Sequence, residues 1–119
     1  MENYGPRIAV SREGSITIVE LLDEEILEEA TINDIAESLF SVVLENAPVR
    51  MVLCFGKVKH LSSSALGTLI RLNKRIDESG GTLKLCDIKP SLQEIFVITK
   101  LNRLFDIHEN KEMALGSLR

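Results

Sequence analysis

Val49-Arg50-Met51-Val52-Leu53-Cys54-Phe55 is the segment that most narrows the folds open to this chain. It is rich in β-formers and large apolar side chains, shows no apolar–polar alternation and stops at Gly56. Such a run suits a strand covered on both faces, which places it inside a largely parallel sheet with helices packed against it. Its neighbours fit that arrangement. Upstream, Thr31 is a suitable N-cap for a helix in which Ile32, Ile35, Ala36, Leu39, Phe40 and Val43 recur at helical spacing, with Pro48 as the stop. Downstream, beyond Lys57-Val58-Lys59-His60-Leu61, three serines precede a second helix. Its Leu66, Leu69, Ile70, Asn73 and Ile76 share a face opposite Arg71, Lys74, Arg75 and Glu78. Gly80-Gly81 ends that helix.

The flanks extend the alternation. Arg7 to Ser11 and Ile16 to Leu21 read as strands joined through Arg12-Glu13-Gly14-Ser15, which gives an opening β-hairpin. Thr82-Leu83-Lys84-Leu85-Cys86 is a further strand, and Pro90 with a Ser91-Leu92-Gln93-Glu94 capping box opens a short helix through about Thr99. Leu104 to Ile107 supplies a last strand, and Asn110 can cap a terminal helix carrying Met113, Ala114 and Leu118. The expected class is α/β, in the order ββαβαβαβα: one domain over 1–119 with its core at about 7–118, a mostly parallel mixed sheet and about four helices.

Composition removes several functions. The apolar stretches fall far short of the roughly 20 residues a membrane-spanning helix needs, and Met1 to Arg7 has no signal or transit character, so a cytoplasmic location is expected. Eighteen acidic residues stand against 14 basic ones that form no block, which argues against nucleic acid or a membrane as partner. Cys54 and Cys86 lie far apart in apolar runs without a Cys-x-x-Cys partner, a pattern that favours buried, reduced thiols over a disulfide or a metal site. No cofactor is expected.

Ser62, Ser63 and Ser64 are the residues with chemistry to offer. One serine suffices to cap a helix; three, followed by Ala65 and Gly67, also make an accessible turn that a modifying enzyme could reach. On the residues alone, capping and modification both stand. His60 and His108, with Asp87 or Asp106, invite a Ser-His hydrolase reading, but the chain has no Gly-x-Ser-x-Gly elbow and short loops. A phospho-aspartate receiver would need an acidic residue at the end of the central strand, where Phe55-Gly56-Lys57 stands. Asp23-Glu24-Glu25 with Glu28 and Glu29 reads as a solvated surface. Val97 and Ile98 either finish the core of a helix buried on two sides or form an exposed apolar patch.

His60-Leu61-Ser62-Ser63-Ser64-Ala65-Leu66-Gly67 resembles the Asp-Ser-Ser-Gly-Leu-Gly signature of STAS domains, the fold shared by anti-sigma factor antagonists and the tails of sulfate transporters. Gly80 to Pro90 is similar to that family's Gly-Gly-strand-Pro segment, and Ile95-Phe96 through Leu101 to Ile107 to its following helix and last strand. Ser62 replaces the usual Asp, Ala65 the usual Gly, and Leu22 to Leu27 the family's Gly-x-Leu-Asp type turn.

The resemblance implies a non-catalytic anti-sigma factor antagonist that binds an anti-sigma factor acting as a serine kinase, with a serine phosphatase as a second partner. By it the phosphorylated residue is Ser64, with Ser63 as the alternative, and the partner surface comprises Ser62, Ser63, Ser64, Ala65, Leu66, Val97 and Ile98. Phosphate there adds about 1.5 to 2 negative charges at a helix N-terminus, where free N–H groups favour an anion, so the modified form should lose its partner rather than its fold. Two other functions stand beside this one: a constitutive STAS scaffolding subunit of a signalling or transport complex, and a minimal serine hydrolase.

Overall fold

A computed structural model describes residues 3–119. Strand β1 (Ile8–Glu13) and strand β2 (Ile16–Leu21) pair antiparallel through the two-residue turn Gly14-Ser15, where Gly14 takes φ +60. A two-residue strand β3 (Glu25–Ile26) follows, then helix α1 (Glu29–Asn46) and the central strand β4 (Arg50–Cys54). Next come β5 (His60–Leu61), α2 (Ser63–Glu78), β6 (Thr82–Cys86) and α3 (Pro90–Ile98). A 3-10 turn (Leu101–Arg103), β7 (Asp106–His108) and α4 (Lys111–Leu118) complete the chain.

The main sheet runs β1-β2-β4-β6-β7, with β2, β4, β6 and β7 parallel. Strands are added in one direction only, and right-handed crossovers then put every connecting helix on the same face. The core follows this rule. Val10, Val19, Leu21, Met51, Leu53, Leu83 and Leu85 point to the α1, α2 and α3 side, where they meet Ile35, Leu39, Leu69, Leu72, Leu92 and Phe96. Phe96 packs edge-on against both Phe55 and Phe105, with ring centroids 6.5 and 5.9 Å apart. The opposite face holds Ile16, Val52, Cys54 and Cys86, covered by Ala114, Leu115 and Leu118 of α4.

The α/β class, the edge hairpin and the four helices match the expectation from sequence; several boundaries and faces do not. Helix α1 starts at Glu29 with Glu28 as its N-cap and no side-chain cap, so Thr31 lies inside the first turn. Strand β3, unforeseen, ends at Ile26 and turns the chain into the helix early, and Ile32 N–H donates to Glu28 O. The capping box of α3 does not form. Pro90 occupies the first helical position and Lys89 is the N-cap, so Ser91 comes two residues too late to serve as N-cap. In α2 the buried stripe is Ala65, Leu69, Leu72 and Ile76 with Leu66 and Thr68, which leaves Ile70 exposed. The last strand begins at Asp106 because Leu104 and Phe105 N–H groups bond back to Leu101 O in a turn.

Gly81 shows how tightly α2 joins β6. A Cβ on it would lie 2.4 Å from Val49 O and 3.0 Å from Ile76 Cγ2, and Thr82 N–H already donates to Val49 O. A backbone oxygen in a ladder cannot retreat, so Gly81→Ala is expected to cost about 2 kcal/mol or more by overpacking. Gly116, inside α4 with open space around it, should gain up to about 1 kcal/mol on replacement by Ala. Urea unfolding midpoints of the two variants should move in opposite directions.

Candidate functional site

The serine turn is fixed in place before the helix begins. Strands β3 and β5 form a separate parallel pair, Glu25 with His60 and Ile26 with Leu61. Lys59 and His60 N–H groups donate to Glu24 O, and Ser62 N–H donates to Ile26 O. Lys59 Nζ also lies 3.2 Å from Glu24 Oε1, and Asp23 is held by Arg7 at 2.6 Å. The acidic stretch is therefore not merely a solvated surface, since its backbone latches the start of α2 to the segment after β2. Two residues of unalternating sequence carry no strand signal, which is why this latch was not legible in the sequence.

The three serines divide the work. Ser62 is the N-cap in extended conformation: its Oγ accepts from Ala65 N–H at 3.1 Å, and its carbonyl accepts from Leu66 N–H. Ser is as good a cap as the Asp it replaces. Ser63 and Ser64 occupy the first two helical positions, are exposed, and make no side-chain hydrogen bond among the described residues. Ala65 and Leu66 are buried beneath the turn, which leaves them little surface to offer a partner. They hold the turn from below. Ala65 also sits in ordinary helical backbone, so nothing at that position requires glycine.

Ser64 shares a helical face with Gly67, Thr68 and Arg71. Thr68 Oγ1 donates to Ser64 O at 3.2 Å, and Arg71 Nη2 donates to Thr68 Oγ1 at 3.1 Å. A Cβ on Gly67 would be 3.9 Å from Arg71 Nη1. The guanidinium thus folds back along the helix towards Ser64 across the space Gly67 leaves open.

Val97 and Ile98 are exposed, 54% and 72%, so they do not finish the core. They close α3, whereas the serines open α2, and both helices start from the carboxyl edge of the sheet. Ile98 lies eight residues beyond Pro90, about 12 Å along α3 at 1.5 Å per residue. His60 is exposed in β5, and His108 lies at the end of β7 with its Nε2 3.2 Å from Asp106 Oδ1. Among the described residues no hydrogen bond connects either histidine to Ser62, Ser63 or Ser64, so no triad is assembled.

The comparisons with known proteins agree with this geometry. The family profile described as STAS domain matches residues 7–114. This chain belongs to the STAS family. The anti-sigma-B factor antagonist of Bacillus subtilis (strain 168) is 30% identical over 76 residues, 64% of this chain and 68% of that protein. The anti-sigma F factor antagonist of Paenibacillus polymyxa is 28% identical over 68 residues, covering 57% of this chain and 58% of its own length. Among solved structures, a STAS domain protein of Planctomyces limnophilus superposes with a TM-score of 0.83 at 23% identity, covering 94% of this chain and 97% of that one. The last likeness speaks for the fold. No described helix of this STAS domain is long and apolar enough to cross a membrane.

Replacing Ser62 by Ala should lower stability by about 1 kcal/mol through loss of the cap, while Ser63→Ala and Ser64→Ala should stay within about 0.5 kcal/mol of the parent in chemical denaturation. At the sheet's far edge Lys84 donates to Asp106, and that bond with the lysine charge and the nearby His108 holds the Asp106 carboxyl below its ordinary 3.8. A depressed carboxylate stabilises the fold fully above its ordinary pKa and loses that contribution as pH falls through the folded value. Stability of wild type and Asp106→Asn should therefore differ at neutral pH and converge as pH falls through the lowered value of the Asp106 carboxyl.

Proposed function

We propose that this STAS domain is an anti-sigma factor antagonist: its unphosphorylated form binds an anti-sigma factor that is also a serine kinase, and phosphorylation on Ser64 ends the contact. A serine phosphatase would restore the binding form, and the cytoplasm is the compartment that goes with such a cycle. The observation that carries this reading is the pair of exposed, unbonded hydroxyls on a helix N-terminus whose cap is already supplied by Ser62. Modification of either would leave the cap, and hence the fold, intact. The relatives named as antagonists of anti-sigma factors support the same role.

Ser64 is favoured over Ser63 by Arg71, which brings a positive charge along the face that Ser64 occupies. A phosphate there would face free N–H groups of the first turn and a guanidinium. The same charge inside a partner interface would meet a desolvation cost. The contact surface centres on Ser62, Ser63 and Ser64, and Val97 and Ile98, exposed at the end of α3, are available to the same partner. We read the domain as a binding module without catalytic residues, because no hydrogen bond links its serines to either histidine among the described residues.

Incubation with the cognate kinase should place phosphate on Ser64, located by tandem mass spectrometry. In pull-downs Ser64→Ala should retain the partner and Ser64→Asp should bind about 30-fold or more weakly, as a buried unpaired charge does. Equal recovery by wild type and both variants would point instead to a constitutive scaffold, and labelling of Ser63 or Ser64 by a fluorophosphonate would revive a hydrolase.

A further inference from the structure

The face of the sheet away from α1, α2 and α3 carries a feature that the antagonist role does not use. Cys54 ends β4 and Cys86 ends β6, and their Cα atoms are direct partners in the parallel register. Both side chains therefore point to the α4 face. The thiols are free and buried, with Sγ atoms 3.5 Å apart, and Asp87 Oδ2 lies 3.7 Å from Cys86 Sγ. All three donor atoms fall within 4.8 Å of one another. Asp87 reaches this position from a left-handed backbone, φ +59, a conformation that Asp tolerates better than most residues. A recess of about 200 Å³ opens onto Cys54 and Asp87 from the part of the sheet that α4 leaves uncovered, with Ser11, Glu20 and Lys111 on its walls.

We propose that Cys54, Cys86 and Asp87 form a binding site for a thiophilic divalent ion of the zinc class, with water from the recess as the fourth ligand. Tetrahedral coordination at about 2.3 Å to sulfur and about 2.1 Å to oxygen sets neighbouring sulfurs about 3.8 Å apart and sulfur and oxygen about 3.6 Å apart. The observed 3.5 and 3.7 Å separations need adjustments of only a few tenths of an ångström. Closing the Cys54–Asp87 edge takes rotation of the half-buried Asp87 side chain. Two sulfurs and one carboxylate select zinc-class ions over magnesium or calcium, which prefer all-oxygen sites. Cys54 is the readier thiolate, since the Cys86 S–H donates to it and lowers its pKa; that contact and burial raise Cys86. Binding the ion releases the thiol protons to water in the recess, so uptake weakens as pH falls.

The test uses the full chain, purified reduced and metal-free, and titrated with cobalt(II) as a spectroscopic stand-in. The expected result is one equivalent bound with thiolate-to-cobalt charge-transfer bands and tetrahedral d–d bands, displacement by zinc(II), and a rise in melting temperature on zinc addition. Cys54→Ser and Cys86→Ser should each lose the charge-transfer intensity of one thiolate and at least about 10-fold in affinity. Because serine at buried positions can unsettle the fold, Asp87→Asn is the companion variant: Asn accepts the left-handed backbone, and it should weaken binding about 10-fold while keeping the thiolate bands. Absence of charge-transfer bands in the wild-type chain, or bands and affinity unchanged in all three variants, overturns the site and leaves a hydrogen-bonded pair of core thiols.

Discussion

The one-directional order of the parallel strands governs this molecule. Because β2, β4, β6 and β7 step across the sheet without reversing, the crossover helices α1, α2 and α3 share a face and build the larger core there. The other face is left to α4, eight residues long, which covers β4, β6 and β7 only in part. A sheet whose parallel order never reverses also has no topological switch point among those strands, the place where α/β enzymes open a ligand crevice. Two surface features follow from this order: helix starts at the carboxyl edge and the thinly covered second face.

At that edge the start of α2 is held more firmly than a loop would be. The β3–β5 pair fixes its approach, Ser62 satisfies the first-turn N–H of Ala65, and Ala65 and Leu66 anchor it from below. A rigid turn with two spare hydroxyls can change charge without changing shape. The proposed switch by modification rests on that separation of capping from exposure, and Ser at position 62 provides it. Arg71, folded back over Gly67, adds a local charge that distinguishes two otherwise similar neighbours.

The thiol pair follows from the same sheet. Cys54 and Cys86 are 32 residues apart in the chain, and parallel pairing in register brings their sulfurs into contact on the face that carries least cover. A shift of one residue in that register would send one of them to the opposite side.

Much of the architecture could be read from the chain because each signal is local. The unbroken apolar run of β4, the amphipathic periods of the helices, Pro48 and Gly80-Gly81 as stops, and Asn110 as the cap of α4, accepting from Met113 N–H, all depend on neighbours a few residues away. The serine run was legible as a helix start on the same grounds, and its family from the motif around it. What the sequence could not decide were contacts between distant segments: the β3–β5 latch, the burial of Ala65, and the exposure of Ile70, Val97 and Ile98. Nor could it show that two isolated cysteines stand side by side. Those are set by strand register and by which side of each helix meets the sheet, and both are fixed only when the whole core packs.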